Sequence, residues 1–220
     1  MEDFIEVLSN PELENITGLS NLASVYGIIL NKNISLNNLK AFENISNLEG
    51  NLAIYNCHSL KDLEGLQNIT TIKGRLDIQN NEFLENIDAL SKLIEVGKNC
   101  YFYNNSALTS IDGLQSLEVV GDGLLISNHA NLNNLNALSN LKIITGALGI
   151  RENPLITTLD GFSNLESVQS INISKNENLI DLCGVTQIFS NYPTDFNKYW
   201  ICDNGFNPSG LDLKNGLCHK

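Results

Sequence analysis

The sequence predicts a mainly β chain built as a solenoid of stacked parallel coils, about seven of them, closed by a cap at either end. Three observations predict it. Apolar positions recur at a fixed period: Leu52, Ile54, Leu60, Leu63, Leu66, Ile69 and Ile72 return 24 residues later as Leu76, Ile78, Leu84, Ile87, Leu90, Leu93 and Val96. A further step gives Cys100, Phe102, Leu108, Ile111, Leu114, Leu117 and Val120, and the pattern runs on to Val168. Each unit opens on an alternating Leu-x-Ile pair, the mark of a short strand with one buried face. It then steps by three residues, which suits neither a long helix nor a long strand. Such a step suits a coil that bends repeatedly and turns one residue inward at each bend.

Residues 1–26 are an irregular start. Phe4, Ile5, Val7 and Leu8 form an apolar cluster that Pro11 breaks, and Leu13, Ile16, Leu19, Leu22 and Val25 then follow the three-residue rhythm. A cap plus the back half of a first coil is expected here, because an open coil end exposes strand edges and apolar surface. Residues 27–188 are the repeat, with one residue lost from its register after Ser170. Gly50, Gly74, Gly123 and Gly146 stand just before the strand, where a sharp corner is expected. Gly65, Gly113 and Gly161, with Ala89 and Ala137, mark another corner.

Three residues after the Ile comes a polar column: Asn33, Cys57, Asn81, Asn105, His129, Asn153 and Asn176. Asn33, Asn81, Asn105, Asn153 and Asn176 are read as structural, their amides satisfying backbone groups left unpaired at the bend and bonding the next Asn. His129 occupies a rung of that ladder and is read the same way. Residues 189–220 hold the only Trp and several turn signals, and are expected to plug the last coil with aromatic side chains. The whole is one elongated domain, with inner columns stacked roughly 4.8 Å apart into a rod about 35 Å long.

The chain carries 25 acidic against 13 basic residues, a net charge of -12. A field of that sign repels phosphate backbones and anionic lipid, so neither nucleic acid nor membrane insertion is expected. No window reaches the length of a transmembrane helix, and the first residues lack the basic and apolar regions of a signal peptide. Five cysteines fall into two groups. Cys57 and Cys100 sit in interior columns and are read as buried thiols. Cys183, Cys202 and Cys218 lie in the tail, and their spacing fits no paired-cysteine zinc pattern. A bridge is expected there, best placed between Cys183 and Cys218, because that bond pins the end of the chain. The other pairings stay open.

Function must sit on outward positions. Two strand columns face out: Ala53, Asp77, Tyr101, Leu125, Gly149, Asn172, and Tyr55, Gln79, Tyr103, Ser127, Arg151, Ser174. Tyr55, Gln79, Tyr101 and Tyr103 cluster on one face, with Arg151 further along. Amphipathic rings of this kind suit a protein or carbohydrate ligand, although cross-strand aromatics also simply stabilise sheets. A second column reads Lys40, Glu64, Asp88, Asp112, Asn136, Asp160. Asp88, Asp112 and Asp160 are a weak candidate set for a hard cation, and the corner before Gly or Ala favours local capping of backbone N–H groups instead. A polysaccharide-cleaving site has only Arg75, Asp77 and Arg151 to draw on. The two arginines lie roughly 14 Å apart by strand spacing, too far to act on one bond. No nucleophile elbow, phosphate loop or metal-ligand pair is present.

The unit Gly-x-Leu-x-Ile-x-x-Asn-x-x-Leu-x-x-Leu-x-Gly-Leu-x-x-Leu-x-x-Val resembles the receptor L-domain type of leucine-rich repeat over roughly residues 13–188. The tail from Cys183 to Cys218 is similar to the end cap of such repeats in secreted bacterial proteins. The resemblance implies a right-handed single-stranded β-helix, ligand or surface recognition, and no enzymatic activity or cofactor. It supplies no invariant site to carry over. The expectation is therefore a secreted or cell-surface monomer, its signal peptide outside this sequence, that binds a protein or glycan on its strand face. A polysaccharide-active enzyme and a structural spacer are the alternatives.

Overall fold

A computed structural model describes residues 4–191 and 198–220. The chain is mainly β. Nine strands form one parallel sheet in sequence order: Phe4–Leu8, Gly27–Asn31, Leu52–Tyr55, Leu76–Gln79, Cys100–Tyr103, Leu124–Ser127, Ala147–Arg151, Ser170–Ser174 and Tyr199–Cys202. A second sheet of five two-residue strands stacks Asn47–Leu48, Thr71–Ile72, Glu95–Val96, Val119–Val120 and Ile143–Ile144. Short 3-10 turns such as Asp88–Leu90 and Asp112–Leu114 supply the remaining bends. The arrangement is consistent with a β-solenoid, in which no single unit buries its own inner face and stability comes from stacking neighbours.

The period sets the register. Leu52, Leu76, Cys100, Leu124 and Leu148 pair in one column, and Ile54, Ile78, Phe102, Ile126 and Ile150 in the next. All of these are 0–1% exposed. Every inner column is thus a ladder of like apolar side chains packed along the rod. The shortened unit pairs Ala147 with Ser170 and sets the Gln169 N–H on the Gly146 carbonyl, while Ser167 still pairs with Ile143, so the missing residue falls between Val168 and Gln169 rather than after Ser170. Gln169 takes the place that Gly146 fills one repeat earlier, and the place of Thr145 is the one omitted.

Corner chemistry differs from expectation. Gly65, expected at a corner, does take a positive φ of 117°, but the left-handed corners beside the ladder fall on non-glycine residues one position before it: Asn56, Asn80, Asn104 and Asn128 have φ of 52–62°. Asn tolerates this region through its short polar side chain. Gly74 instead serves close approach, since a Cβ there would lie 2.5 Å from the Gly50 carbonyl oxygen of the preceding repeat.

The two ends are built differently. The first 26 residues include a front strand, Phe4–Leu8, paired with Gly27–Asn31, so this stretch supplies the front of a repeat as well as its back. Its inward residues Ile5, Val7, Leu13, Leu19 and Leu22 are only partly buried. At the other end, helices Thr186–Asn191 and Gly210–Lys214 pack on each other, and Ile188, Phe189 and Leu213 are buried. Phe189 meets Tyr199 edge to face at 5.3 Å. Tyr192 and Phe196, also expected in the aromatic plug, lie outside the described residues. Cys183 and Cys218 are joined by a disulfide that spans 35 residues.

Candidate functional site

The polar ladder comes first because it fixes the strand face above it. Each buried Asn rung makes the same two bonds. Asn81 Oδ1 accepts the Cys57 N–H at 2.9 Å and its Nδ2 donates to the Ile54 carbonyl at 3.0 Å. Asn105 accepts from the Asn81 N–H and donates to Ile78, each at 3.0 Å. Asn153 and Asn176 repeat the scheme with Ile126 and Ile150. Asn33 and these four are fully buried, so each amide serves backbone groups that no water reaches.

His129 fits the same rung. Its Nε2 stands 3.2 Å from the Phe102 carbonyl oxygen and its Nδ1 3.4 Å from the Asn105 nitrogen. The neutral tautomer protonated on Nε2 therefore does what an Asn amide does. Burial lowers its pKa below the usual histidine value, against the opposing effect of these bonds. Cys57 breaks the ladder, its Sγ turning to the Tyr55 carbonyl at 3.4 Å. Burial raises the Cys57 and Cys100 thiol pKa values, so both stay protonated and inert.

Two features of this ladder escaped the sequence reading. Asn204 adds a further rung, accepting the Asn176 N–H at 3.1 Å and donating to Ile173 at 3.0 Å. Asn207 then closes the chain of amides on the Asn204 N–H at 2.9 Å. The 28-residue spacing from Asn176 hid it. A second, outer amide column is formed by Asn44, Asn68, Asn140 and Asn164, which donate to carbonyls of the preceding repeat at 2.7–3.1 Å. Here the signal was present, since Asn44 and Asn68, like Asn140 and Asn164, stand one period apart.

On the strand face, Tyr55, Gln79 and Tyr103 are adjacent in one column, with Ser127, Arg151 and Ser174 beyond them. Tyr101 lies in the neighbouring column between Asp77 and Leu125. These residues are not equally available. The Tyr55 hydroxyl donates to Asp77 Oδ2 at 2.7 Å, and the Gln79 amide donates to the other Asp77 oxygen. Burial first, and then this bond to a carboxylate, push the Tyr55 phenol well above its ordinary range. Asp77 is itself 7% exposed. The Asp77 carboxylate thus has both oxygens committed, which is a poor start for a general acid or base. Tyr101 donates to Asn99 Oδ1 at 2.8 Å, and burial raises its pKa.

Tyr103 is the exposed member of the cluster, at 37%. Arg151 lies two strands further along the same column, partly buried, with no ion-pair partner among the described residues. Gly149 beside it has no side chain, and a Cβ there would press on Leu125. The last strand brings a residue the sequence reading assigned to the plug. Trp200 pairs with Asn172 on the outward column and is 64% exposed. Its indole N–H donates to Cys202 Sγ at 2.8 Å, which fixes the ring. The face therefore offers two exposed aromatic platforms, Tyr103 and Trp200. A lower stretch of small residues, with Arg151, lies between them.

The acidic column is not gathered. Asp88, Asp112 and Asp160 are exposed, at most one per repeat, and Lys40 at the head of the column pairs with Glu64 at 3.1 Å. Asp112 lines a shallow groove of about 500 Å³ with Asn136, Gln115 and Asn140, which supplies one carboxylate and no more. Nor do these carboxylates cap their corners. The cap stands two residues earlier: Asn86, Ser110 and Thr158 accept the N–H of Asp88, Asp112 and Asp160 at 2.9–3.2 Å. The closest group of metal-type ligands among the described residues is Cys183, Cys218 and His219. Its two sulfurs are spent on the disulfide.

Comparison with known proteins returns one family. The family model described as receptor L domain matches residues 70–193, more than half of the chain. No curated protein matches it.

Proposed function

The chain belongs to the receptor L domain family, and from that premise we propose that it is a non-catalytic binding module of a secreted or cell-surface protein. Receptor L domains are non-catalytic ligand-binding domains of extracellular receptor regions. The scaffold in this reading is a right-handed coil of about seven closed turns, acting as a monomer and without a cofactor. The ligand, a protein segment or a glycan, lies across the strand face. It stacks on Tyr103 and Trp200, and Arg151 supplies the charge between them. Tyr55, Gln79 and Tyr101 support the floor through Asp77 and Asn99.

One observation carries the reading. Trp200 is a large ring held by a hydrogen bond and left 64% exposed. Rings with an apolar face and a fixed orientation are the usual anchors of protein and carbohydrate contacts. The test is a glycan array and a panel of secreted proteins probed with the wild-type chain, Tyr103→Ala and Trp200→Ala. Binding that both variants lose by about tenfold or more supports the face as the site. Binding that neither variant changes sinks it.

A further inference from the structure

The N-terminal edge of the front sheet has its own recognition chemistry. Strand Phe4–Leu8 pairs only with Gly27–Asn31, and no described strand lies along its other side. The Ser9 N–H donates to the Asn31 carbonyl at 2.8 Å. By the alternation of a parallel ladder, Ile5 and Val7 also face that neighbour, while the Glu6 and Leu8 N–H groups point away. Leu8 is 48% exposed. Ile5 and Val7 stay partly exposed where their partners Ile28 and Leu30 are fully buried.

The amide ladder is also open at this end. In the interior, each ladder oxygen accepts an N–H from one repeat earlier, as Asn105 does from Asn81. Asn10 is the first rung: its N–H donates to Asn33 Oδ1 at 3.1 Å, but its Nδ2 folds back onto its own Leu8 carbonyl. Its Oδ1 accepts nothing among the described residues. Charge is one-sided here. Residues 1–31 hold Glu2, Asp3, Glu6, Glu12 and Glu14 and no Lys or Arg, and Glu6, Glu12 and Glu14 are exposed.

We propose that this edge is a docking site for an extended, basic peptide segment of a partner protein, which adds a strand to the front sheet beside Phe4–Leu8. The outward Glu6 backbone groups and the Leu8 N–H give affinity in the manner of strand addition, the Leu8 carbonyl being held by Asn10 Nδ2. The exposed glutamates select Lys or Arg on the incoming strand. A second copy of this chain is disfavoured, because two edges of the same negative sign would meet on molecules of net charge -12 each. The site lies on the sheet edge and does not depend on the strand-face reading.

The probe is a blocked synthetic peptide of alternating valine and lysine, titrated calorimetrically into the full chain. Amide exchange at Glu6 and Leu8 is followed in parallel. Saturable binding that weakens with salt, and slowing of both amides by about tenfold, is the expected result. Glu6→Pro removes one outward N–H and leaves the bonds to Gly27–Asn31 in place, since proline is tolerated on an edge strand; binding should fall by about tenfold. Glu6→Lys, which needs no backbone change, should weaken it as well, while Tyr103→Ala and Trp200→Ala should bind as wild type. The proposal is overturned if the peptide does not bind, if an alternating valine-glutamate peptide binds equally, or if Glu6→Pro and Glu6→Lys have no effect. It is also overturned if sedimentation shows the chain alone to be a dimer that Glu6→Pro dissociates, because the edge then serves a second copy.

Discussion

The two ends of the stack solve the same problem in opposite ways. Each is a terminal repeat whose inner column lacks a neighbour on one side. At the C-terminal end the chain adds two short helices, an extra ladder rung at Asn204 with its closing Asn207, and a disulfide from Cys183 to Cys218. At the N-terminal end it adds nothing among the described residues, and Ile5, Val7, Leu13, Leu19 and Leu22 stay partly exposed. A repeat protein is held by its interfaces, so a repeat with one interface should open first. The contrast teaches that the interior units set stability and the ends set where unfolding starts.

Breaking the bridge should have the largest effect. Cys183→Ser with Cys218→Ser releases a closed span of 35 residues, with an expected loss of about 3–4 kcal/mol. Denaturant unfolding gives the loss, and hydrogen exchange should show protection disappearing first from the Asn204 rung. An unchanged exchange map would mean that the helices hold this end without the bond.

Next comes a rung inside the stack against a rung at its edge. Asn105→Ala strands the buried Asn81 N–H and Ile78 carbonyl and should cost about 3 kcal/mol. Asn10→Ala keeps the backbone N–H bond to Asn33 and removes only the Nδ2 bonds to the Leu8 carbonyl and Asn33 Oδ1 at an exposed position, and it should cost less than about 1 kcal/mol. Equal losses in the two unfolding curves would remove the distinction between interior and end.

A smaller effect is pH-dependent. Burial lowers the His129 pKa in the folded state, so the unfolded chain binds the extra proton first. Stability is therefore full above the unfolded value of about 6.5 and falls as pH drops below it. His129→Asn keeps both ladder bonds and carries no titrating group. It should track the parent at neutral pH and pull ahead in acid, and parallel curves down to low pH would show that the imidazole takes up its proton equally in the folded and unfolded states. The smallest effect belongs to the strand face, where Trp200→Ala should change stability by less than about 0.5 kcal/mol. A larger loss would make Trp200 part of the C-terminal closure rather than a free platform.

Most of the fold was legible because its cause is periodic. A column such as Ile54, Ile78, Phe102, Ile126 recurs at a fixed step, and stacking turns that step into a buried ladder. What departed from the period was harder to read. The 28-residue gap before Asn204 hid a rung, and the missing residue was placed on the wrong side of Ser170. Sharp corners were expected at glycines, and Gly65 has a positive φ, yet the left-handed corners beside the ladder are taken by Asn56, Asn80, Asn104 and Asn128. The period gives where a side chain points and says nothing of what it touches. Tyr55 and Tyr103 stand in one column, but the first is tied to Asp77 and the second is exposed. Trp200 was invisible as a face residue because it follows the last recognisable unit.

The uniform register has a consequence for how such a chain changes length. Because Leu76 lies on Leu52 and under Cys100 through like contacts, one whole unit can be copied or lost in the middle while the inner apolar columns keep their packing. The interior then behaves as a ruler whose reading is set by gene duplication. The two ends, which cannot be copied this way, are where the identity of the molecule is fixed.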